Sequence, residues 1–502
     1  RAKLLIESEA TPRRLEKPPR HFVNPLAGVD PESTTFRLGV LDGGVTEAYY
    51  RLGDLTHCQE YAQKALARFG LEVPLGRIGM IRGLAVETLR RVAQSLHPSR
   101  SIDVRRASEV TRPAADVQLK LTETFVYSLR VGPSLWSTLR SVNLCEPAGA
   151  SAQLAHAYVV AGVVASGVGL PRLADSWCQR ALETAELVGT PRDRAFTIIR
   201  VAAVHISSCR WEKAKTEIER ADRLAAGVGD LRSREEAGAQ AGLVALYHGP
   251  LASGLPAVRH AREVTGRSRS RQGECWTLMG EADLLLRLGD TEAALARYRE
   301  ALEKVDEKAM RTEGVWAFGG PALTQYQRGD RAAAYAAALR ALAIVQRTKP
   351  AAFWLYQGLA AAAEVLLSLW EEGWREAGLS TQQLSGQARL ACRSLRQYAF
   401  RFRLGRPGSH FWQGRYAWLS RRPRRALRHW QRAARLAELQ GMPYELGLSC
   451  LELSRHEQDP PTARRLALQA LEVFAAYGCP LAVRQAQAVL DKVQSLPAAP
   501  LA

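Results

Sequence analysis

The stretch Arg287-Leu-Gly-Asp-Thr-Glu-Ala-Ala-Leu-Ala-Arg-Tyr-Arg-Glu-Ala-Leu302 decides the fold. Gly289 can end one helix in the left-handed conformation, and Asp290 can cap the start of the next. Ala294 and Ala301 stand five and twelve residues past the glycine. In steps of 40 outward from Gly289, its place is held by Gly169, Cys209, Gly249 and Gly329. Ala294 is matched by Ala174, Ala214, Gly254 and Ala334, and Ala301 by Ala181, Ala221, Ala261 and Ala341. Seven residues before each turn come Gly162, Ala202, Gly242, Ala282 and Ala322. Small residues recurring on a fixed period let the backbones of two antiparallel helices approach, with Leu, Val and Tyr filling the groove between. One pair cannot bury its apolar face alone, so pairs stack. The expected fold is all-α, a right-handed α-solenoid of antiparallel helix pairs with a period of about 40.

A small residue in the first helix, a glycine turn, and alanines five and twelve past it together resemble the tetratricopeptide repeat. That repeat usually has a period of about 34 residues, so these units are longer.

Five such units fill 151–348. Upstream, residues 1–35 carry Pro12, Pro18, Pro19, Pro25 and Pro31 among charged residues, and read as a linker or the tail of a missing upstream domain. The start at Arg1 rather than Met suggests a fragment or a processed product. Residues 36–150 are expected to form irregular helix pairs. Tyr49, Gly53-Asp54, Cys58, Ala62, Ala65 and Leu66 follow the template. Leu84–Leu96 reads as an amphipathic helix, 98–113 as an exposed loop, and 114–131 and 134–144 as helices. Downstream, 349–494 should hold Arg-rich pairs and a cap. Its pieces are an apolar helix over 353–370, a loop over 378–386, a helix over 388–402 and a turn over 403–410. The template returns at Gly414, Arg421, Ala426 and Ala433. A closing pair over 444–453 and 461–477, a cap over 483–493 and a loose tail over 495–502 complete the chain.

The 502 residues are 47% hydrophobic and carry a net charge of +19, mostly from arginine. A basic chain can face nucleic acid or an acidic partner; the plainer account is arginine on solvated helix faces, as in a GC-rich genome. Eight scattered cysteines form no Cys-x-x-Cys pair and suit buried free thiols in a reducing cytoplasm. No stretch reads as a signal peptide. The apolar run over 157–170 is too short for a membrane span, so no membrane partner is expected.

No phosphate loop, dinucleotide fingerprint, His-Glu-x-x-His motif or nucleophile elbow occurs. No catalytic, cofactor-binding or metal-binding residue is therefore expected. His205 reads as a packed imidazole, and Glu235-Glu236 and Glu371-Glu372 as solvated faces. One region invites a binding role. Between Arg389 and Arg435 many arginines interleave with Tyr398, Phe400, Phe402, Phe411, Trp412, Tyr416, Trp418 and Trp430. Arginine beside aromatics can bind phosphates and stack bases. The candidate basic surface is Arg421, Arg422, Arg424, Arg425 and Arg428. The competing account packs the aromatics inside helix pairs with arginine outside. The only asparagines are Asn24 and Asn143, which argues against a clamp for peptide carboxylates built from Asn and Lys.

Longer segments carry a closer resemblance. They are Val142-Asn-Leu-Cys-Glu-Pro-Ala-Gly-Ala-Ser-Ala-Gln-Leu-Ala-His-Ala-Tyr158, Gly229-Asp-Leu-Arg-Ser-Arg-Glu-Glu-Ala237, Leu439-Gln-Gly-Met-Pro-Tyr-Glu-Leu-Gly-Leu448 and Leu451-Glu-Leu-Ser-Arg-His456. They resemble the C-terminal helical region of bacterial multidomain proteins similar to soluble adenylyl cyclase, over most of 36–490. In that family a class III cyclase domain and a signal-transduction P-loop ATPase precede a tetratricopeptide tail; related tails follow kinase domains or precede LuxR-type DNA-binding domains. Cys209 and Arg421 depart from it at turn glycines, and Ser454 stands where the family usually has Gly. The resemblance implies a non-catalytic cytoplasmic scaffold for protein interaction or intramolecular regulation. Its partners would be a protein or the chain's own upstream cyclase and ATPase domains. A nucleic-acid-associated tail of the LuxR or kinase-linked type is the alternative.

Overall fold

A computed structural model of the chain describes residues 26, 29–96, 104–307, 309–347, 350–375 and 379–494. Most of the expected linker and the whole of 495–502 lie outside these residues. Among them every regular element is helical, with 22 α-helices and four short 3-10 turns. The helices pair in chain order. First come α1 (Thr34–Leu52) with α2 (Leu55–Arg68), the single α3 (Gly76–Leu96), and α4 (Val104–Tyr127) with α5 (Val131–Cys145). The five expected units are α6 (Ala152–Gly167) with α7 (Pro171–Val188), α8 (Pro191–Ser207) with α9 (Trp211–Gly227), α10 (Leu231–His248) with α11 (Gly254–Ser268), α12 (Arg271–Leu288) with α13 (Thr291–Lys304), and α14 (Arg311–Gln327) with α15 (Arg331–Arg347). Then follow α16 (Tyr356–Glu371) with α17 (Thr381–Arg401), α18 (Arg406–Leu419) with α19 (Pro423–Gln440), α20 (Pro443–His456) with α21 (Pro460–Tyr477), and the closing α22 (Pro480–Gln494). The architecture is an all-α helical-repeat solenoid.

The turn column has one backbone requirement. Gly169, Cys209, Gly249, Gly289 and Gly329 all take positive φ, between 58° and 95°. Cys209 and Arg421, each at φ 58°, adopt the left-handed conformation without glycine, at a cost of about 1–2 kcal/mol. Leu129 does the same at φ 54°, and it lies 40 residues before Gly169. The register therefore extends one unit upstream, into α4 and α5. Its small positions are Thr122, Ser134 and Ser141, all buried. The alanine columns are closed to solvent: Ala174, Ala181, Ala202, Ala214, Ala221, Ala282, Ala294, Ala301, Ala322, Ala334 and Ala341 are fully buried and Ala261 nearly so. A Cβ on Gly242 would stand 2.4 Å from Val258 Cγ2, so bulk is sterically excluded there.

Three expected loops are corrected. The helix α4 begins at Val104 and contains Pro113, so 104–113 is helical. Val110 and Ala114 are buried against the first helix pair, which offsets the roughly 3 kcal/mol that an interior proline costs. The helix α17 begins at Thr381, with Ser380 and Gln383 forming a reciprocal capping box, so Gly386 is helical. The helix α18 begins at Arg406 with Pro407 in its first turn, where the missing N–H costs nothing. The turn there shrinks to a 3-10 segment over 403–405.

The first helix of each regular pair is buried on most sides, and the second keeps an exposed face. The winding brings distant pairs into contact. Ser128 Oγ donates to the Ala309 carbonyl at 3.1 Å, Trp211 Nε1 to the Gln440 carbonyl at 2.6 Å, and Thr56 Oγ1 to Asp306 Oδ2 at 3.1 Å. One apolar core accordingly runs from Tyr50 to Ala486. Among the described residues one helical stretch, Phe353–Glu371, has the length and apolarity of a membrane span; 78% of it is packed inside the protein. All eight cysteines are free, and all but Cys209 are buried.

Candidate functional site

Inside the winding, α8 and α10 carry buried charge. The Arg200 guanidinium lies 3.1 Å from Glu123 Oε2 on α4 and 3.3 Å from Glu236 Oε2 on α10. Arg232, one turn before Glu236, is 3.2 Å from it and also donates to Gln272 Oε1 at 2.6 Å. Tyr50 on α1 donates its hydroxyl to Glu123. Apart from Arg232, which is half-buried, these groups are almost fully buried, so each needs its partner. Burial pushes the Glu123 carboxyl up, but Arg200, Lys120 and the Tyr50 hydroxyl outweigh it and hold it below the usual range. Burial, then the Glu123 charge, pushes the Tyr50 phenol well up. The layer is thus ionised at its carboxylate and neutral at its phenol.

Behind this layer lies a cavity of about 770 Å³, measured with its open mouth. Its walls come from six inner helices, α4, α6, α8, α10, α12 and α14, and from the 3-10 turn before α16. Tyr127, Trp276, Trp316, Phe353 and Trp354 make them aromatic. Trp276 Nε1 is fixed by Glu313 Oε1 at 2.9 Å, and Tyr127 packs against both Trp276 and Trp354. Three polar atoms of the lining residues have no hydrogen-bond partner: Glu123 Oε1, Gln240 Oε1 and Trp354 Nε1. Buried polar atoms are normally satisfied. A smaller apolar cavity adjoins it and shares Ala203, Phe353 and Trp354. On the other side of the ionic layer, Tyr50, Lys120, Phe196 and Arg232 border a wide polar basin that mixes acidic and basic side chains.

The columns picked from the sequence build these walls without entering the site. Glu235 and Glu236 are 0% and 5% exposed, which corrects their reading as solvated; they belong to the inner helix α10, whose polar side faces the interior. Glu371 and Glu372 are exposed. His205 is half-buried and burial lowers its pKa to about 4. Among the described residues no group of three metal-ligating side chains comes together. Arg421, Arg422, Arg424, Arg425 and Arg428 are all exposed, at the start of α19 and its preceding turn, on residues that do not line the cavity. Of the interleaved aromatics, Tyr398, Phe402, Phe411, Trp412 and Trp430 are buried and Tyr416 and Trp418 half-buried, but Phe400 is 79% exposed.

No protein-family model matches the chain, and no curated protein does. Solved structures do. A Rap protein complexed with competence and sporulation factor is similar over 81% of this chain and 99% of its own, with a TM-score of 0.50 and 12% identity. A signal transduction ATPase with numerous domains, carrying a tetratricopeptide repeat sensor, from Pyrococcus horikoshii covers 82% of this chain and 64% of its own length, with a TM-score of 0.39 and 12% identity. At such identity the likeness is one of fold. The chain has the fold of an all-α helical-repeat solenoid.

Proposed function

We propose that the superhelix is a non-catalytic sensor scaffold that captures a short peptide segment of a partner in the aromatic cavity. The observation that carries this reading is the cavity lined from α4 to the turn before α16, with unsatisfied polar atoms among its lining residues. A peptide supplies N–H donors for Glu123 and Gln240, a carbonyl for the Trp354 indole, and an apolar side chain for the adjoining cavity. An occupant touching six helices favours whichever winding gives the best contact with all of them, and so shifts the population of superhelix shapes. The Rap protein of similar fold is complexed with competence and sporulation factor. On this reading the chain is the regulatory C-terminal part of a cytoplasmic, adenylate-cyclase-like, ATP-binding signalling protein, and any turnover resides in other domains. The resemblance of 142–158, 229–237 and 439–456 supports that parentage.

The test is thermal unfolding with pooled random hexapeptides, on the natural chain and on Ala203→Trp, which fills both cavities. Pools should raise the midpoint of the natural chain only. No shift with any pool, or equal shifts in both proteins, refutes peptide capture. The complete coding sequence tests the parentage: a cyclase or P-loop ATPase domain upstream supports it, and any other arrangement removes it.

A further inference from the structure

Residues 379–440 hold fourteen arginines, no lysine and one carboxylate, Glu438. Fourteen less one is thirteen of the chain's net nineteen positive charges, in about an eighth of its length. Elsewhere arginines commonly sit within salt-bridge distance of an acid. Of these fourteen, only Arg415 does among the described residues, with Glu371. The rest are not scattered. Arg389, Arg393 and Arg396 are exposed along one face of α17 at steps of four and three. Arg425, Arg428, Arg432 and Arg435 repeat that pattern on α19. The two helices both pack against α18.

The second observation is Phe400. It continues the face of Arg389, Arg393 and Arg396 by one further turn, and at 79% it is the only exposed Phe, Tyr or Trp among the described residues. A lone exposed ring has no packing role. Within a row of unpaired guanidiniums it has the elements of a single-strand platform: charge that follows the phosphates and a face on which a base stacks. Duplex DNA hides its base faces, which leaves the ring to an unpaired strand.

We infer that the outer face of α17 and α19, centred on Phe400, Arg393, Arg396, Arg425 and Arg428, binds single-stranded nucleic acid without sequence preference. The surface is separate from the peptide cavity, and the two readings stand or fall independently.

The experiment is fluorescence anisotropy with a labelled 20-nucleotide oligothymidylate at 50–300 mM NaCl, using the 502-residue chain. Binding should be measurable at 50 mM and weaken steeply with salt. Phe400→Ala should weaken it about tenfold, and Phe400→Trp should retain it. Arg393→Glu combined with Arg396→Glu should remove it, whereas Arg172→Glu, exposed on α7, should leave it unchanged. These variants alter exposed side chains, so folding is preserved. No binding at 50 mM overturns the inference. So does equal competition by polyglutamate with no effect of Phe400→Ala, which would mark a site for an acidic protein. Tighter binding of a duplex of the same length also overturns it.

Discussion

Arginine does two opposite things in this molecule. On α8 and α10, Arg200 is buried and Arg232 half-buried, and each lies within salt-bridge distance of two glutamates. On α19 and the turn before it, Arg421, Arg424, Arg425 and Arg428 are exposed, with no carboxylate in reach among the described residues. The first pair ties α1, α4, α8, α10 and α12 together through groups that cannot be left alone. The second group ties nothing. Net charge therefore says little about where a solenoid acts; burial and pairing separate arginines that hold the winding from arginines left open on the surface.

The largest expected effect breaks or upholds that contrast directly. Arg200→Ala takes the arginine from buried Glu123, while Glu236 keeps only Arg232, and should cost about 3–5 kcal/mol. Arg425→Ala should stay within about 0.5 kcal/mol. Urea midpoints and calorimetric unfolding temperatures compare the two. If both substitutions cost the same, buried and exposed arginines are not distinct in role.

Much of the framework was legible because it rests on local sterics. Ala214, Ala221 and their counterparts exclude bulk wherever helices cross, and a fixed period exposes that. The unit at α4–α5 escaped because Leu129 occupies a glycine position and Thr122, Ser134 and Ser141 replace alanine. Prolines misled at Pro113 and Pro407, one absorbed by tertiary burial and one serving a helix start. The cavity was not legible, since its lining is drawn from residues 123 to 354 with no spacing rule. One signal was present: Arg200 is the single arginine in the run from Phe196 to Ile206, which is otherwise apolar except for Thr197 and His205. A charge inside such a run needs a partner, and in a superhelix the side of an inner helix that points away from its pair is also interior. The same misreading placed Glu236 on a solvated face.

A buried acid without an arginine partner sharpens the contrast. Asp283 on α12 accepts from Trp316 Nε1 at 2.7 Å and from the Tyr298 hydroxyl, both neutral donors. Burial raises its pKa to about 6, although both donors and the field of Arg287 oppose this. The native state thus holds a proton that the unfolded chain has lost between about pH 4 and 6, and stability falls as pH rises through that window. Asp283→Asn removes this loss. Relative to the natural chain it should gain about 1–3 kcal/mol on going from pH 4 to pH 7. His205 and His410, both lowered to about 4 by burial, contribute the opposite slope near the same range, so the difference between the two proteins is the quantity to measure. A parallel pH dependence in both would mean that Asp283 is ionised throughout.

A similar magnitude, of steric origin, is expected at Gly358 on α16. Its added Cβ would stand 2.2 Å from the Val315 carbonyl oxygen, and the α14 residue Gly319 meets Gly358 Cα in the same crossing. Backbone cannot move aside as a side chain can, so Gly358→Ala should cost about 1–3 kcal/mol by denaturation. Tolerance there would show that α14 and α16 are less closely nested than the inner wall requires.

The same substitution at Gly386 should have the smallest effect and the opposite sign. Gly386 lies inside α17, with an ordinary helical backbone and nothing within 4 Å of an added Cβ. Alanine there restricts the unfolded chain and favours the helix, a gain of about 0.5–1 kcal/mol. It stands three residues before Arg389, on the exposed face that carries Arg393, Arg396 and Phe400, yet it adds no charge and no ring. Gly386→Ala should therefore raise the urea midpoint while leaving oligothymidylate affinity unchanged. If affinity rises with helix stability, the arginines on α17 act through the order of the helix that presents them; if it stays fixed, their position on the rigid outer face already suffices.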